Sequence, residues 1–347
     1  MTSRQFALLM AGIVAVLIVP FMAYNLVDDD FGLFRSNSQK RIWIQEKTSK
    51  YLMSFRYIPR NFNGILIGPS YSDGSVDTRR LTGYHIYNLS MEGGNATELR
   101  AATVNAIEHG RLRILIICLG PYLTKNSGMK GDEISPKEYW GSLFSLLPLR
   151  LAEAKFSARE HAATDLWAGS EWGSADLPRK TYTWDEFVRL SKADPVDDEI
   201  QIDPIAYEHL HDIIRTAHQH GVKVFAYFFP YNDWSAETAV RSGDWSRYRA
   251  RITKLFDPSR DIVWDMMEPQ YASLRHDAAC YTDDHLSKAG ISLVLTDIQR
   301  VLDQTLKGIS VPPVFPRTSN LACLDTPGAG SGYDRNTIVS AAATRIL

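Results

Sequence analysis

In Gly64-Ile65-Leu66-Ile67-Gly68-Pro69-Ser70-Tyr71-Ser72-Asp73-Gly74 a short apolar run stops abruptly at glycine, proline and serine. So short a run, bounded by turn residues, reads as a buried strand entering a tight turn with a serine at its tip. Open α/β sheets gather their ligands outside the carboxyl ends of the strands, so such a turn would hold the Ser70 hydroxyl at the working edge.

The chain on either side continues the pattern. A second strand is expected at residues 84–89, followed by Ser90-Met91-Glu92-Gly93-Gly94-Asn95. A helix follows over about residues 96–109, with Asn95 as its cap, Glu98 as the returning partner and Gly110 as its stop. Residues 113–119 form a continuous apolar run, typical of a central parallel strand. Residues of about 121–200 break the rhythm and read as a helical insertion over the sheet edge. Alternation resumes with a helix from Ile205 to about His220, a strand at 222–229 closed by Pro230, a helix at about 245–255, a short strand at 261–264 and a last helix at about 287–306. Strands alternating with helices imply an α/β fold, a mostly parallel sheet covered on both faces. The domain spans 61–306, and the Pro-rich remainder, 307–347, reads as an extended tail.

With 38 basic and 40 acidic residues among 347, the net charge is −2, which argues against nucleic acid as the main partner. The amino terminus is of another kind. Phe6 to Tyr24 is free of charge and long enough to cross the hydrocarbon core of a bilayer. Arg4 precedes it, and Asp28, Asp29 and Asp30 follow. The positive-inside bias then leaves the amino terminus in the cytoplasm and the domain outside it. Residues 1–27 are read as stub and signal anchor, and 28–60 as a juxtamembrane segment with an amphipathic stretch at about 41–55. The rival reading is a cleaved signal peptide, whose apolar core would be unusually long and which lacks a clear Ala-x-Ala site. Of the three cysteines, Cys118 falls in a strand pattern, while Cys280 and Cys323 could pair in an oxidising compartment. No cysteine spacing resembles a zinc site.

Ser70 is the candidate nucleophile, and a serine hydroxyl needs a base to take its proton. Taken alone, Ser70 reads first as a turn-shaping residue, as Ser72 and Asp73 would be. The candidate base is His285 in Tyr281-Thr282-Asp283-Asp284-His285, just before the last helix; its bland role is a helix-start residue with an aspartate as cap. Asp283, two residues before His285, can turn to the same side of an extended segment and hold the imidazole in its tautomer. Asp284 is the reserve. A developing oxyanion needs donors, and the Ser70 N–H, Gly93, Gly94 and the Asn95 amide are the candidates, Asn95 having an equally good capping role.

Gly68-Pro69-Ser70 after a first strand, Tyr87-Asn88-Leu89-Ser90 with Gly93-Gly94-Asn95 after a second, and Asp283-Asp284-His285 before the final helix resemble the SGNH (GDSL-like) hydrolase superfamily, in its order, over about residues 60–306. Within it, the chain resembles the membrane-anchored, periplasm-facing members found with bacterial cell-surface polysaccharide systems. The resemblance implies a three-layer α/β/α sandwich in which Ser70 is nucleophile, His285 base, Asp283 its partner and Gly93 or Gly94 the oxyanion-hole glycine, with no metal or organic cofactor. It also implies an inner-membrane location and a membrane O-acyltransferase or other polysaccharide-assembly proteins as partners. Two positions depart from the family. Many members place the aspartate three residues before the histidine, where Thr282 stands. The third block usually reads Gly-x-Asn-Asp, where this chain has Leu119-Gly120-Pro121-Tyr122.

Two functions follow. In one, Ser70 forms an acyl-enzyme and passes the acyl group, acetyl by preference, to water or to a sugar hydroxyl of a polysaccharide or glycolipid. In the other, the domain is a non-catalytic scaffold or glycan-binding subunit of a polysaccharide-export or modification complex. Trp140, Trp167, Trp172 and Trp184 would then stack on sugars; the missing third-block asparagine favours this reading. A nucleotide-binding protein is disfavoured, since no phosphate-loop pattern follows the first strand.

Overall fold

The structure, a computed structural model, describes residues 1–35, 42, 46–74, 76–125, 153, 170–174, 185–186, 188–189, 200–282 and 285–308. Its first element is helix α1, Ser3–Asp28, opened by a reciprocal cap between Thr2 and Gln5. The helix is long and apolar enough to cross a membrane, and none of its most apolar window is buried. A signal sequence meets the same test of length and composition. The helix ends at Asp29, in the left-handed conformation. The Asp29 carboxylate accepts the backbone N–H groups of Leu33, Phe34 and Arg35, and Phe31 and Leu33 enter the core.

The segment read as juxtamembrane carries two helices, α2 at Glu46–Met53 and α3 at Tyr57–Asn61. Tyr51, Leu52, Met53, Tyr57 and Ile58 are all buried in the domain. Burying one such large apolar side chain is worth about 1.5–3 kcal/mol, so these helices are held by packing rather than by intrinsic propensity.

The sheet has five strands: β1 Gly64–Ile67, β2 Ile86–Asn88, β3 Ile114–Leu119, β4 Lys223–Phe228 and β5 Ile262–Asp265. Their order is β2-β1-β3-β4-β5 and every pairing is parallel. β1 and β3 are buried at every position, as continuous apolar runs require of central strands. The remaining described helices are α4 Ser70–Asp73, α5 Ala96–Glu108, α6 Pro204–Gln219, α7 Asp233–Ser242, α8 Asp244–Thr253, α9 Ala272–Arg275 and α10 Lys288–Lys307. Right-handed crossovers put α5, α6, α7 and α8 on one face, and the β1–β2 connection on the other. α10 covers that second face, bound to the connection through Arg80–Ser292, Gln299–Thr82 and Tyr84–Asp303 hydrogen bonds.

Strand order changes direction at β1. From β1 the chain steps outward to β2, then crosses back to β3 on the other side. That reversal opens a crevice at the carboxyl end of the central strands, where doubly wound sheets bind their ligands. The outer edge of β2 is closed by residues 170–174. The Asn88 N–H donates to Trp172 O at 2.7 Å, which satisfies an edge donor that would otherwise be open to another strand.

Candidate active site

Ser70 is the first residue of α4, directly beyond β1, with Pro69 in extended conformation before it. The turn is tight because Gly68 has no side chain: a Cβ there would lie 2.3 Å from Ser72 Oγ and 2.7 Å from Cys118 Cβ. Ser70 is half-buried, while Ser72 and Asp73 are fully buried beneath it. The Cys118 thiol on β3 is buried too, and burial pushes its pKa up to about 12, which makes it inert.

The chain leaving β2 is stitched to this turn. Asn88 Nδ2 is shared among the carbonyls of Ser72, Asp73 and Val76 at 2.8, 3.2 and 3.0 Å, while its Oδ1 accepts the Ser90 N–H. Ser72 Oγ donates to Ser90 Oγ at 2.8 Å, and the Met91 N–H to Gly68 O at 3.0 Å. Gly93 follows with a φ of 57°, a conformation suited to glycine.

The candidate oxyanion donors differ in their commitments. The Gly94 N–H bonds to Met91 O at 2.9 Å. Asn95 caps α5 through its Oδ1, and its Nδ2 donates to Lys125 O. The backbone N–H groups of Ser70 and Gly93 donate to no group among the described residues. Those two remain available at the sheet edge, as an oxyanion site needs.

His285 comes from a tight hairpin. Tyr281 and Leu286 form an antiparallel bridge, the Thr282 N–H bonds to His285 O at 3.0 Å, and the Ser287 N–H bonds to Cys280 O at 2.8 Å. Asp283 and Asp284, between those partners, lie outside the described residues. Ser287 caps α10, and Gly290 lets that helix approach closely, since a Cβ there would sit 2.2 Å from Cys280 O. Cys280 is disulfide-bonded, with its partner outside the described residues. The Tyr281 hydroxyl donates to Pro230 O at 2.8 Å and fastens the hairpin to the carboxyl end of β4.

The serine turn and the histidine hairpin meet through Tyr71. Its ring lies 5.1 Å from the His285 imidazole, stacks on Phe229 at 4.7 Å and meets Tyr231 edge-on at 5.3 Å. No hydrogen bond joins Ser70 to His285 among the described residues; catalytic contacts in unliganded sites commonly tighten only with substrate. Among the described residues no group of three or more His, Cys, Asp and Glu is placed to hold a metal ion.

Several residues of the site escaped the sequence reading. Asn88 showed only as part of a family motif, although it holds the two loops together. Lys50 reads as a solvent-facing lysine of an amphipathic stretch, yet it is fully buried against Glu46, Asp73 and Ser90. Trp172, offered as a sugar-stacking residue, is half-buried and packs on Phe62 and His85. His85, just before β2, is exposed and stacks on that tryptophan. Trp140, Trp167 and Trp184 lie outside the described residues.

The fold and site define a parallel doubly wound α/β protein with a serine turn at the reversal point of its sheet. No family model matches the chain, and no curated protein matches it. Solved structures resemble it, and two of them are these. One is a Streptococcus pneumonia protein named provisionally as a platelet activating factor, with 12% identity and a TM-score of 0.40, over 80% of this chain and 98% of that one. The other is a GDSL-like lipase from Bacteroides thetaiotaomicron, with 9% identity and a TM-score of 0.37, over 82% of this chain and 100% of that one. Neither resemblance bears on what the protein does, and the fold assignment rests on the strand order and register.

Proposed function

We propose that the protein is a membrane-anchored, extracytoplasmic serine esterase or O-acyltransferase of SGNH type, acting on acyl esters, acetyl by preference, of a cell-surface polysaccharide. The observation that carries the reading is the contact of Tyr71, next to Ser70, with His285 at the carboxyl edge of β1. Ser70 Oγ attacks the ester carbonyl carbon while His285 takes its proton. Negative charge gathers on the carbonyl oxygen, opposite the Ser70 and Gly93 N–H groups. The tetrahedral species collapses, the sugar oxygen leaves with the proton from His285, and the acyl group stays on Ser70. Water or a second sugar hydroxyl then gives up a proton to His285 and attacks the acyl carbon, which frees Ser70. Asp283 orients the imidazole. α1 serves as an uncleaved anchor with the amino terminus in the cytoplasm of a bacterial cell and the domain in the periplasm; membrane-bound polysaccharide-assembly proteins are the partners that fit such a location.

A second reading, a non-catalytic scaffold on the same fold, is favoured by the absent third-block asparagine, Leu119-Gly120-Pro121-Tyr122 standing in its place. Fluorophosphonate labelling of the full chain in detergent separates the two. Labelling that disappears in Ser70→Ala and falls sharply in His285→Ala, with turnover of p-nitrophenyl acetate, is the enzyme's result. A folded protein that takes no label and leaves the ester untouched is the scaffold's, and a label on another serine displaces the site.

A further inference from the structure

The Lys50 ammonium is fully buried, and all three of its protons have acceptors: Glu46 Oε1 at 2.6 Å, Asp73 Oδ1 at 2.6 Å and the Ser90 carbonyl oxygen. Glu46 reaches further, its other oxygen accepting the Glu92 N–H at 3.0 Å. One pair on α2, a single helical turn apart, therefore grips two loops. Asp73 ends the helical turn that Ser70 begins. Ser90 and Glu92 flank Met91, whose N–H holds Gly68 O, and Gly93 comes next.

A buried cluster of charges is weak support for stability, since apolar groups of similar volume usually serve as well or better. Directional bonds to fixed points are what charges add. Here those points lie on the two loops that carry the unpaired N–H donors of Ser70 and Gly93. Among the described residues Lys50 makes no hydrogen bond to Ser70; it acts through Asp73 and Ser90, and Glu46 through Glu92. Asp73 Oδ2 is buried and makes no hydrogen bond among the described residues, so the cluster is not arranged for maximal stability alone.

We propose that Lys50, with Glu46, is the positioning residue of the serine site, a clamp on α2 that fixes the Ser70 turn relative to the Gly93 loop. The inference rests on the serine-esterase reading for its consequence, and on the hydrogen bonds above for its geometry. It makes activity depend on the segment between the apolar helix and the sheet, a segment that supplies no reacting group.

The test compares the full chain in detergent with a charge-neutral triple variant, Glu46→Gln/Lys50→Met/Asp73→Asn, which leaves no unpaired buried charge. The readouts are fluorophosphonate labelling rate, kcat and KM on p-nitrophenyl acetate, melting temperature, and hydrogen exchange over residues 70–74 and 90–94. The expected result is a folded variant whose labelling rate and kcat fall roughly 10- to 100-fold, the scale of a small misplacement of reacting groups. KM should change little, and exchange should quicken in both segments with α6 unaffected. A folded variant that labels at the parent rate and protects both segments overturns the clamp. Should the triple variant not fold, Glu46→Met alone keeps Lys50 paired with Asp73 and Ser90 but removes the acceptor for the Glu92 N–H. Faster exchange confined to 90–94 then supports the clamp, and unchanged exchange there overturns it. If the parent protein takes no label at Ser70, the esterase reading falls and the positioning role with it, while the exchange data still decide whether α2 holds the two loops.

Discussion

Tyr71 lies with its ring 5.1 Å from the His285 imidazole, so the turn after the first strand and the hairpin before the last helix share one edge of the sheet. The contact is braced from the other side, because the same ring stacks on Phe229 and meets Tyr231 edge-on. Both of those residues are buried at the exit of β4. Tyr71 thus transmits the position of a rigid central strand to an imidazole on a short hairpin.

Replacing that ring tests the brace. Tyr71→Ala removes three ring contacts, to Phe229, Tyr231 and His285, and part of a buried surface, and should cost about 1–3 kcal/mol, below the range for a fully buried aromatic. Its fluorophosphonate labelling should slow by more than the stability loss explains, since His285 loses lateral support. Urea unfolding and labelling rates on the same preparation check this. A variant that loses stability but labels at the parent rate would mean that the ring only packs.

The hairpin yields a second expectation. Thr282 stands opposite His285 across the narrow pair, and its buried hydroxyl has no partner among the described residues. It therefore does not orient the imidazole. Thr282→Val should leave kcat within about twofold and stability unchanged or slightly higher, because an unpaired buried hydroxyl gives way to a methyl of similar shape. Asp283→Asn should lower kcat by roughly 10⁴-fold, the scale of the loss when the carboxylate behind a catalytic histidine is neutralised. Asp284→Asn should stay near the parent value. Steady-state kinetics on p-nitrophenyl acetate rank the three, and an inverted order of the two aspartates would move the role to Asp284.

Much of this arrangement was legible because punctuation residues bound the elements. Gly64 and Gly68-Pro69 frame the first strand, and the structure places β1 at Gly64–Ile67, as read. The cap at Asn95 with Glu98 was legible for the same reason, since a capping box is a local pattern. Helix α7 was missed. Its ten residues, Asp233–Ser242, begin at the Asn232 cap and carry too few apolar positions to show a periodicity. The α2 clamp was beyond reach for a different reason. Lysine in an amphipathic stretch reads as solvent-facing, and only the arrival of Asp73 and Ser90 from elsewhere in the chain makes its burial tolerable.

The clamp also carries a pH signature. Burial pushes the Asp73 carboxyl well above its usual range, and the neighbouring Glu46 carboxyl adds to the rise against the opposing pull of Lys50. A carboxyl whose folded pKa is raised binds its proton more tightly when folded. Its contribution to stability is present below the unfolded value of about 3.9 and is lost as pH rises towards the folded value. Lys50 is raised as well, the Asp73 and Glu46 charges outweighing its burial, but its contribution stays constant below about pH 10. Asp73→Asn removes the carboxyl's loss. The deficit of that variant against the parent should be largest near about pH 4 and shrink as pH rises. Urea midpoints across that range decide it, and a deficit that widens with pH would contradict the assignment.

Asn88 supplies the sharpest test of how the two loops are joined. Its amide donates where three carbonyls converge, those of Ser72, Asp73 and Val76, and its position is fully buried. Asn88-Leu89-Ser90 matches the Asn-x-Ser glycosylation acceptor pattern, but a side chain so buried cannot carry a glycan in the folded protein. Asn88→Ala should cost about 1–3 kcal/mol, the scale for buried groups left without partners. Asn88→Asp should be worse near neutral pH despite its matching shape, because a carboxylate offers no proton to the three oxygens and brings a buried charge to them. Protonation would restore a donor, so the Asp variant should recover relative to the Ala variant as pH falls below the carboxyl's raised pKa. Urea unfolding of both variants at two pH values checks the order. An Asp variant as stable as the parent at neutral pH would show that the amide proton is not what binds the Ser70 turn to the strand beside it.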